Sequence, residues 1–168
     1  CWGGNVAGEL GDLTNIPRST PGEVVGVTGV TALSAGSSST CALLIGGAVK
    51  CWGNINSVDG ELRVYAPVEV EGVTGATEVV GRYAHACALM PEGTIKCWGS
   101  NHWGELGDGT TTNRISPVAV QGITEASAIA TGASHTCALM PEGTIKCWGA
   151  NHSGQLGDGT TTNQPSPV

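Results

Sequence analysis

The tripeptide Cys-Trp-Gly begins at Cys1, Cys51, Cys97 and Cys147, and Cys-Ala-Leu stands at Cys41, Cys87 and Cys137, ten residues ahead of the last three. Residues 87–99 and 137–149 are the same thirteen letters, and residues 97–118 agree with 147–168 at 17 of 22 positions. A period close to 50 residues restricts the chain to stacked copies of one supersecondary unit, none able to bury its apolar face alone. The units read as 1–50, 51–96, 97–146 and a partial 147–168, about 3.4 repeats in one domain spanning 1–168.

Within a unit the pattern predicts four short strands: Pro117 to Val120, Ala126 to Ala130, Thr136 to Met140 and Thr144 to Trp148, punctuated by Gly and Pro. Pro141-Glu142-Gly143 is a hairpin loop with Gly143 in the left-handed region, which sets Cys137 opposite Cys147 and Leu139 opposite Ile145 on one face. The long segment Ser100 to Asn113 reads as a surface loop anchored by Leu106 alone. Glycine at 27 positions, no Phe, and no apolar spacing at i, i+3, i+4, i+7 exclude helix-pair solenoids. A parallel β-helix would repeat at about half this length, so the fold class expected is all-β, with propeller blades of four antiparallel strands in a partial ring.

The run from Cys147-Trp148-Gly149-Ala150-Asn151-His152 through Leu156-Gly157-Asp158-Gly159-Thr160 to Ser166-Pro167-Val168, with Gly132-Ala133-Ser134-His135-Thr136-Cys137-Ala138-Leu139 ahead of it, resembles the regulator of chromosome condensation repeat. The two-cysteine unit is similar to the bacterial, exported branch of that family. The resemblance covers nearly the whole chain and implies a seven-bladed propeller, more than twice this length, so the chain reads as a fragment or a processed product that starts at Cys1 rather than Met. Two units depart from the pattern. Unit 51–96 is four residues short, with Asp59-Gly60-Glu61-Leu62-Arg63-Val64-Tyr65 in place of Gly-Asp-Gly-Thr. Arg82 stands where Gly36 and Gly132 stand elsewhere, and if those glycines need positive φ, the corner at Arg82 is strained and reshaped. In the first unit Ser39 replaces His85 and His135, and Leu13 replaces the second Gly of Gly-Asp-Gly.

Seven cysteines leave one over: Cys41/Cys51, Cys87/Cys97 and Cys137/Cys147 are opposed across hairpins, and Cys1 has no counterpart ten residues upstream. Directly opposed strand residues come close enough for disulfides, which would place the protein in an oxidising compartment, extracellular or periplasmic. The alternative is a small buried hydrophobe at each position. Without Cys-x-x-Cys, a metal site is not expected, and no cofactor is implied.

The net charge is −7 and the seven basic residues are scattered singly, so no basic face exists for nucleic acid or an anionic membrane. No apolar run is long enough for a membrane helix. His85 and His135 are expected at strand starts, bonded to backbone, and His102 and His152 lie in the long loop. Asp108-Gly109-Thr110 and Asp158-Gly159-Thr160 resemble a calcium loop only superficially, with Thr two and four residues after each Asp and no closing Glu, and read as turns whose Asp side chains satisfy backbone donors. No nucleophile elbow, phosphate loop or zinc-protease helix occurs, and the recurring acids sit on separate blades, so no enzyme activity is expected. Asn151-His152-Ser153 forms a glycosylation sequon.

Trp2, Trp52, Trp98 and Trp148 read as core between blades, whereas Trp103 stands alone in a polar loop, either as an interface anchor or folded back over Leu106. The leading expectation is a non-catalytic scaffold that binds a protein partner through loops on one face, with Trp103, His102, Arg114, Tyr65, Arg82 and Tyr83 as contacts. The resemblance implies the same class, since the family includes β-lactamase inhibitory proteins, ubiquitin-ligase accessory domains and exchange factors for a small nuclear GTPase. Guanine-nucleotide exchange is one alternative, although the inserted wedge used by those exchange factors has no counterpart here. A carbohydrate-binding or enzymatic propeller is the other. Two exposed sheet edges further predict self-association to close the ring, or a longer native chain.

Overall fold

The computed structural model describes residues 1–56 and 62–168, so Asp59, Gly60 and Glu61 of the shortened loop lie outside the described residues. Among the described residues the regular structure is β, in three antiparallel sheets, apart from one 3-10 turn at Pro141–Gly143. The first blade is β1 (Val30–Ala35), β2 (Ser39–Leu44), β3 (Val49–Asn56) and β4 (Leu62–Glu69), paired in that order. The second is β5 (Glu78–Gly81), β6 (His85–Leu89), β7 (Ile95–Gly99) and β8 (Arg114–Ala119). The third is β9 (Ala128–Thr131), β10 (His135–Leu139) and β11 (Ile145–Gly149), with 164–168 laid against β11 through the Gly149–Gln164 bridge and paired bonds between Cys147 and Val168. Residues 1–3 and 18–22 pair in the same way through Gly3 and Arg18, giving the outer half of a further blade ahead of the first. The edge strands β1, β5 and β9 approach one another and line the axis, so the sheets are arranged radially as a partial β-propeller.

The hairpin register is as expected: Cys137 faces Cys147 and Leu139 faces Ile145, with Gly143 at φ 80°. Strand alternation then sends Cys, Leu and Ile toward the following blade and Trp, Thr and Ala toward the preceding one. Cys41, Leu43, Val49 and Cys51 therefore meet Ala86, Ala88 and Trp98 in one core, and Cys87, Leu89, Ile95 and Cys97 meet Ala138 and Trp148 in the next. The three expected disulfides, Cys41–Cys51, Cys87–Cys97 and Cys137–Cys147, are formed, each with Cα atoms 4.1 Å apart, and Cys1 is free.

Two expectations about the core are corrected. Trp52, Trp98 and Trp148 are buried, but Trp2 is 65 % exposed, and among the described residues its indole lacks the bond to a loop carbonyl that Trp52 and Trp148 make. Gly36 and Gly132 do not have positive φ, so Arg82 takes no left-handed strain by standing in their place. Close approach explains those glycines: a Cβ on Gly36 would run into the Arg82 carbonyl and one on Gly132 into the His135 ring.

Candidate functional site

Because strands alternate in direction, the connections after β1, β3, β5, β7, β9 and β11 open at one end of the blades, and the remaining turns open at the other. The first end, the loop face, carries the long loops 4–17, 100–113 and 150–163. The opposite end carries the Pro-Glu-Gly turns and the interblade links, with Glu71, Glu92, Glu125 and Glu142 exposed.

Each long loop is held from inside, contrary to the expectation of a surface loop pinned by Leu106 alone. Leu106 is fully buried, but so is Asn101, and Glu105 is nearly so. The Asn101 amide donates to the Asp108 carboxylate at 3.1 Å, to Thr110 O at 3.0 Å and to Thr112 O at 3.1 Å, while its oxygen accepts from Leu106 N–H at 2.9 Å. Asn5 and Asn151 do the same in their own loops. A single Asn four residues after each cysteine therefore sets the loop's shape, and the signal was present in the sequence as Asn5, Asn101 and Asn151 in one register. Unit 51–96 has Ile55 at that position. Asn151 being buried with its amide engaged, the sequon Asn151-His152-Ser153 offers no glycosylation acceptor in the folded chain.

The Asp-Gly-Thr turns are as read. Asp108 accepts from Thr110 N–H and O–H, and Arg114 closes the turn with Nε and Nη2 both 3.0 Å from Oδ2. Burial raises the Asp108 pKa, but the donors from Thr110, Arg114 and Asn101 outweigh it and hold the carboxyl below its ordinary value. Glu105 goes the other way, pushed up by burial although Oε2 accepts the Trp103 N–H at 2.8 Å.

His85 and His135 begin β6 and β10 as expected, but His85 does not bond backbone with its ring. Its Nε2 lies 3.0 Å from Thr136 Oγ1 across the seam between the second and third blades. The Thr136 hydroxyl donates to Glu105 O, which also accepts the Trp148 indole N–H at 2.8 Å, so the donor in the first contact is Nε2–H of a neutral ring. Burial, with a smaller repulsion from His135, lowers the His85 pKa to about 4. His135 is half-buried and also lowered, by burial and then by Arg82.

All six residues read from the sequence as contacts fall at the loop face. His102, Arg82 and Tyr83 are exposed, Tyr83 by 62 %. Trp103 is 42 % exposed and meets His152 of the next loop edge-on, ring centres 4.7 Å apart. Tyr65 packs against Gly8 and its carbonyl accepts Leu13 N–H, and Arg114 is tied to Asp108, so these two brace loops. The four arginines, Arg18, Arg63, Arg82 and Arg114, all lie at this end, whereas Lys50 and Lys96 reach the Gly26 and Gly72 carbonyls at the other. Among the described residues no group of His, Cys, Asp or Glu is placed to hold a metal ion.

The regulator of chromosome condensation (RCC1) repeat matches residues 30–60, 92–139 and 126–155, together more than half of the chain. The chain belongs to the RCC1-repeat family. Human WBSCR16 is similar to it at 25 % identity over 99 % of this chain, with a TM-score of 0.82, and yeast RCC1 (Prp20), solved bound to Kap60, at 25 % over 99 %, with a TM-score of 0.80. The chain spans just under half of those two proteins, 46 % and 44 %. Prp20p from Saccharomyces cerevisiae, at 24 % identity over 83 % of this chain and 36 % of its own, has the same fold with a TM-score of 0.68. No curated protein sequence matches the chain.

Proposed function

We propose that this chain is a non-catalytic scaffold that binds a protein partner through its loop face. The observation that carries the reading is the segregation of side chains: three of the chain's aromatic residues outside the repeated tryptophans, Tyr65, Tyr83 and Trp103, and every arginine sit at one end of rigid blades. Aromatic and Arg side chains are the usual anchors of protein interfaces. The Trp103–His152 pair joins two adjacent loops, and Arg82 and Tyr83 stand nearer the axis on a corner whose backbone is fixed by Ser34 and Ser37 of the neighbouring blade. RCC1-repeat propellers act as binding scaffolds, and the yeast relative was solved with Kap60 and studied for binding to Gsp1p and histones. The three disulfides suit an oxidising compartment, extracellular or periplasmic.

The triple variant Trp103→Ala, Arg82→Ala, Tyr83→Ala tests this reading. Its disulfides and thermal unfolding should match the parent, while a stoichiometric partner captured from the source fluid by the parent is lost. Capture unchanged by the triple variant, or saturable glycan binding or nucleotide exchange by the parent, overturns it. The outer flank of the third blade leaves Leu139 and Ile145 exposed, although their equivalents Leu43, Leu89, Val49 and Ile95 are buried by the blade that follows. Further blades, from a longer polypeptide or a second copy, would cover it, and light scattering on the 168-residue chain separates a discrete dimer from a monomer.

A further inference from the structure

The long loops do more than display side chains: 4–17 and 100–113 each lie as a cover over the rim between their own blade and the next. Between the second and third blades three bonds hold it there, Trp148 Nε1–H to Glu105 O at 2.8 Å, Gln121 N–H to Gly107 O at 2.9 Å and Gly109 N–H to Pro165 O at 2.9 Å. The rim ahead of the first blade repeats them, Trp52 Nε1–H to Glu9 O at 2.7 Å, Val25 N–H to Gly11 O at 2.9 Å and Leu13 N–H to Tyr65 O at 3.0 Å. In both places a glycine slides between the indole and a valine, Gly107 between Trp148 and Val120, Gly11 between Trp52 and Val24, where a Cβ would come within 2.9 Å of either neighbour.

The rim between the first and second blades carries the same three groups, Trp98 Nε1–H, Glu71 N–H and Ile115 C=O. None of them has such a partner among the described residues. In place of the cover, the described residues leave a groove of about 340 Å³, walled by Trp98, Val70, Ile55, Ile115 and Pro117. The threonine that adds a further donor elsewhere, Thr40 or Thr136, is Ala86 here. The groove also differs in charge, because exposed Glu69 and Glu71 edge it where the covered rim of the next seam has Ala119 and Gln121. Neither carboxylate forms an ion pair among the described residues.

We propose that this groove is a second docking site, separate from the loop face, and that it takes a tight turn of a partner protein. The molecule displays the shape required at its two covered rims: a leucine followed by glycine against the indole and valine, with main chain offering two acceptors and one donor. The two glutamates add a requirement for a basic side chain beside that turn.

The probe is a backbone-cyclised heptapeptide, Gly-Lys-Leu-Gly-Asp-Gly-Thr, which copies residues 104–110 with lysine at the place of Glu105. It is titrated into the full chain labelled at isoleucine methyls. Saturable shifts are expected at Ile55 and Ile115 and not at Ile16 or Ile145. Glu71→Lys should weaken binding about fivefold, and replacing the peptide's second glycine by valine should abolish it. The proposal is overturned by silence at Ile115 up to millimolar peptide, by shifts indifferent to Glu71→Lys and to the valine peptide, or by contacts from Val58 to Ile115 showing that residues 57–61 fill the groove themselves.

Discussion

The seam between the second and third blades and the seam between the first and second share one strand pattern, yet only one has a complete roof among the described residues. In the former, Asn101 shapes a loop that delivers Glu105 O to two donors from the next blade, Thr136 and Trp148, while His85 adds a cross-seam bond to the Thr136 hydroxyl. In the latter, Ile55 replaces the shaping Asn, Ala86 replaces the Thr, and Trp98 is buried by apolar contact with Val70 and Ile55. The three changes belong together. A hydroxyl or an indole N–H aimed at a carbonyl is useful only where the carbonyl is held in place, and once the loop is shortened the hydroxyl would be a buried donor without a partner.

Deleting the tryptophan from each seam gives the largest expected difference. Trp148→Ala should cost about 4 kcal/mol in urea unfolding, and Trp98→Ala about 1 kcal/mol less, since no hydrogen bond is lost with the ring. Equal losses would show that the roof bonds add nothing to apolar burial. Acid titration sharpens the contrast next. The His85 pKa is lowered in the folded state, so its contribution is complete above the unfolded value of 6.5 and is lost as pH falls toward about 4. The loss over that window is on the order of 3 kcal/mol, and His85→Gln should flatten the stability profile between those limits. A profile as steep as the parent's would place the titration elsewhere.

Asn101→Ala should destabilise by about 2 kcal/mol and release the loop's amide protons to exchange, while Ile55→Ala, a change at the matching position of the irregular unit, should leave the loop-face amides of residues 100–113 protected. The smallest effect concerns Leu13, held at φ 68° where Gly109 and Gly159 serve in the other loops. Leu13→Gly should stabilise by about 0.5 kcal/mol, visible as a small rise in Tm.

Much of this was legible because the sequence repeats. The opposition of Cys137 and Cys147, the hairpin at Gly143 and the burial of Leu106 follow from period and alternation, which fix register before any contact is known. The loop interior was not legible in the same way. Asn101 and Glu105 are polar, and polar residues in a Gly- and Thr-rich stretch read as surface unless the turn that surrounds them is already in view. Gly36 and Gly132 misled for a related reason, since a glycine required by a neighbour's approach looks the same in sequence as one required by its own φ. Gathering His102, Trp103, Arg82, Tyr83, Tyr65 and Arg114 at one end needed only strand alternation, but that Tyr65 and Arg114 are spent on bracing was visible only in the packing.

The overhang of loops 4–17 and 100–113 onto the next blade also changes where the polypeptide can be cut. Trimming at the end of a sheet, after Ala119, would strip no loop from what remains on the N-terminal side, but the released C-terminal piece would begin with its first tryptophan, Trp148, without the loop that covers it. Minimal versions of such a protein should therefore start one loop early, keeping the shingle that belongs to the discarded blade.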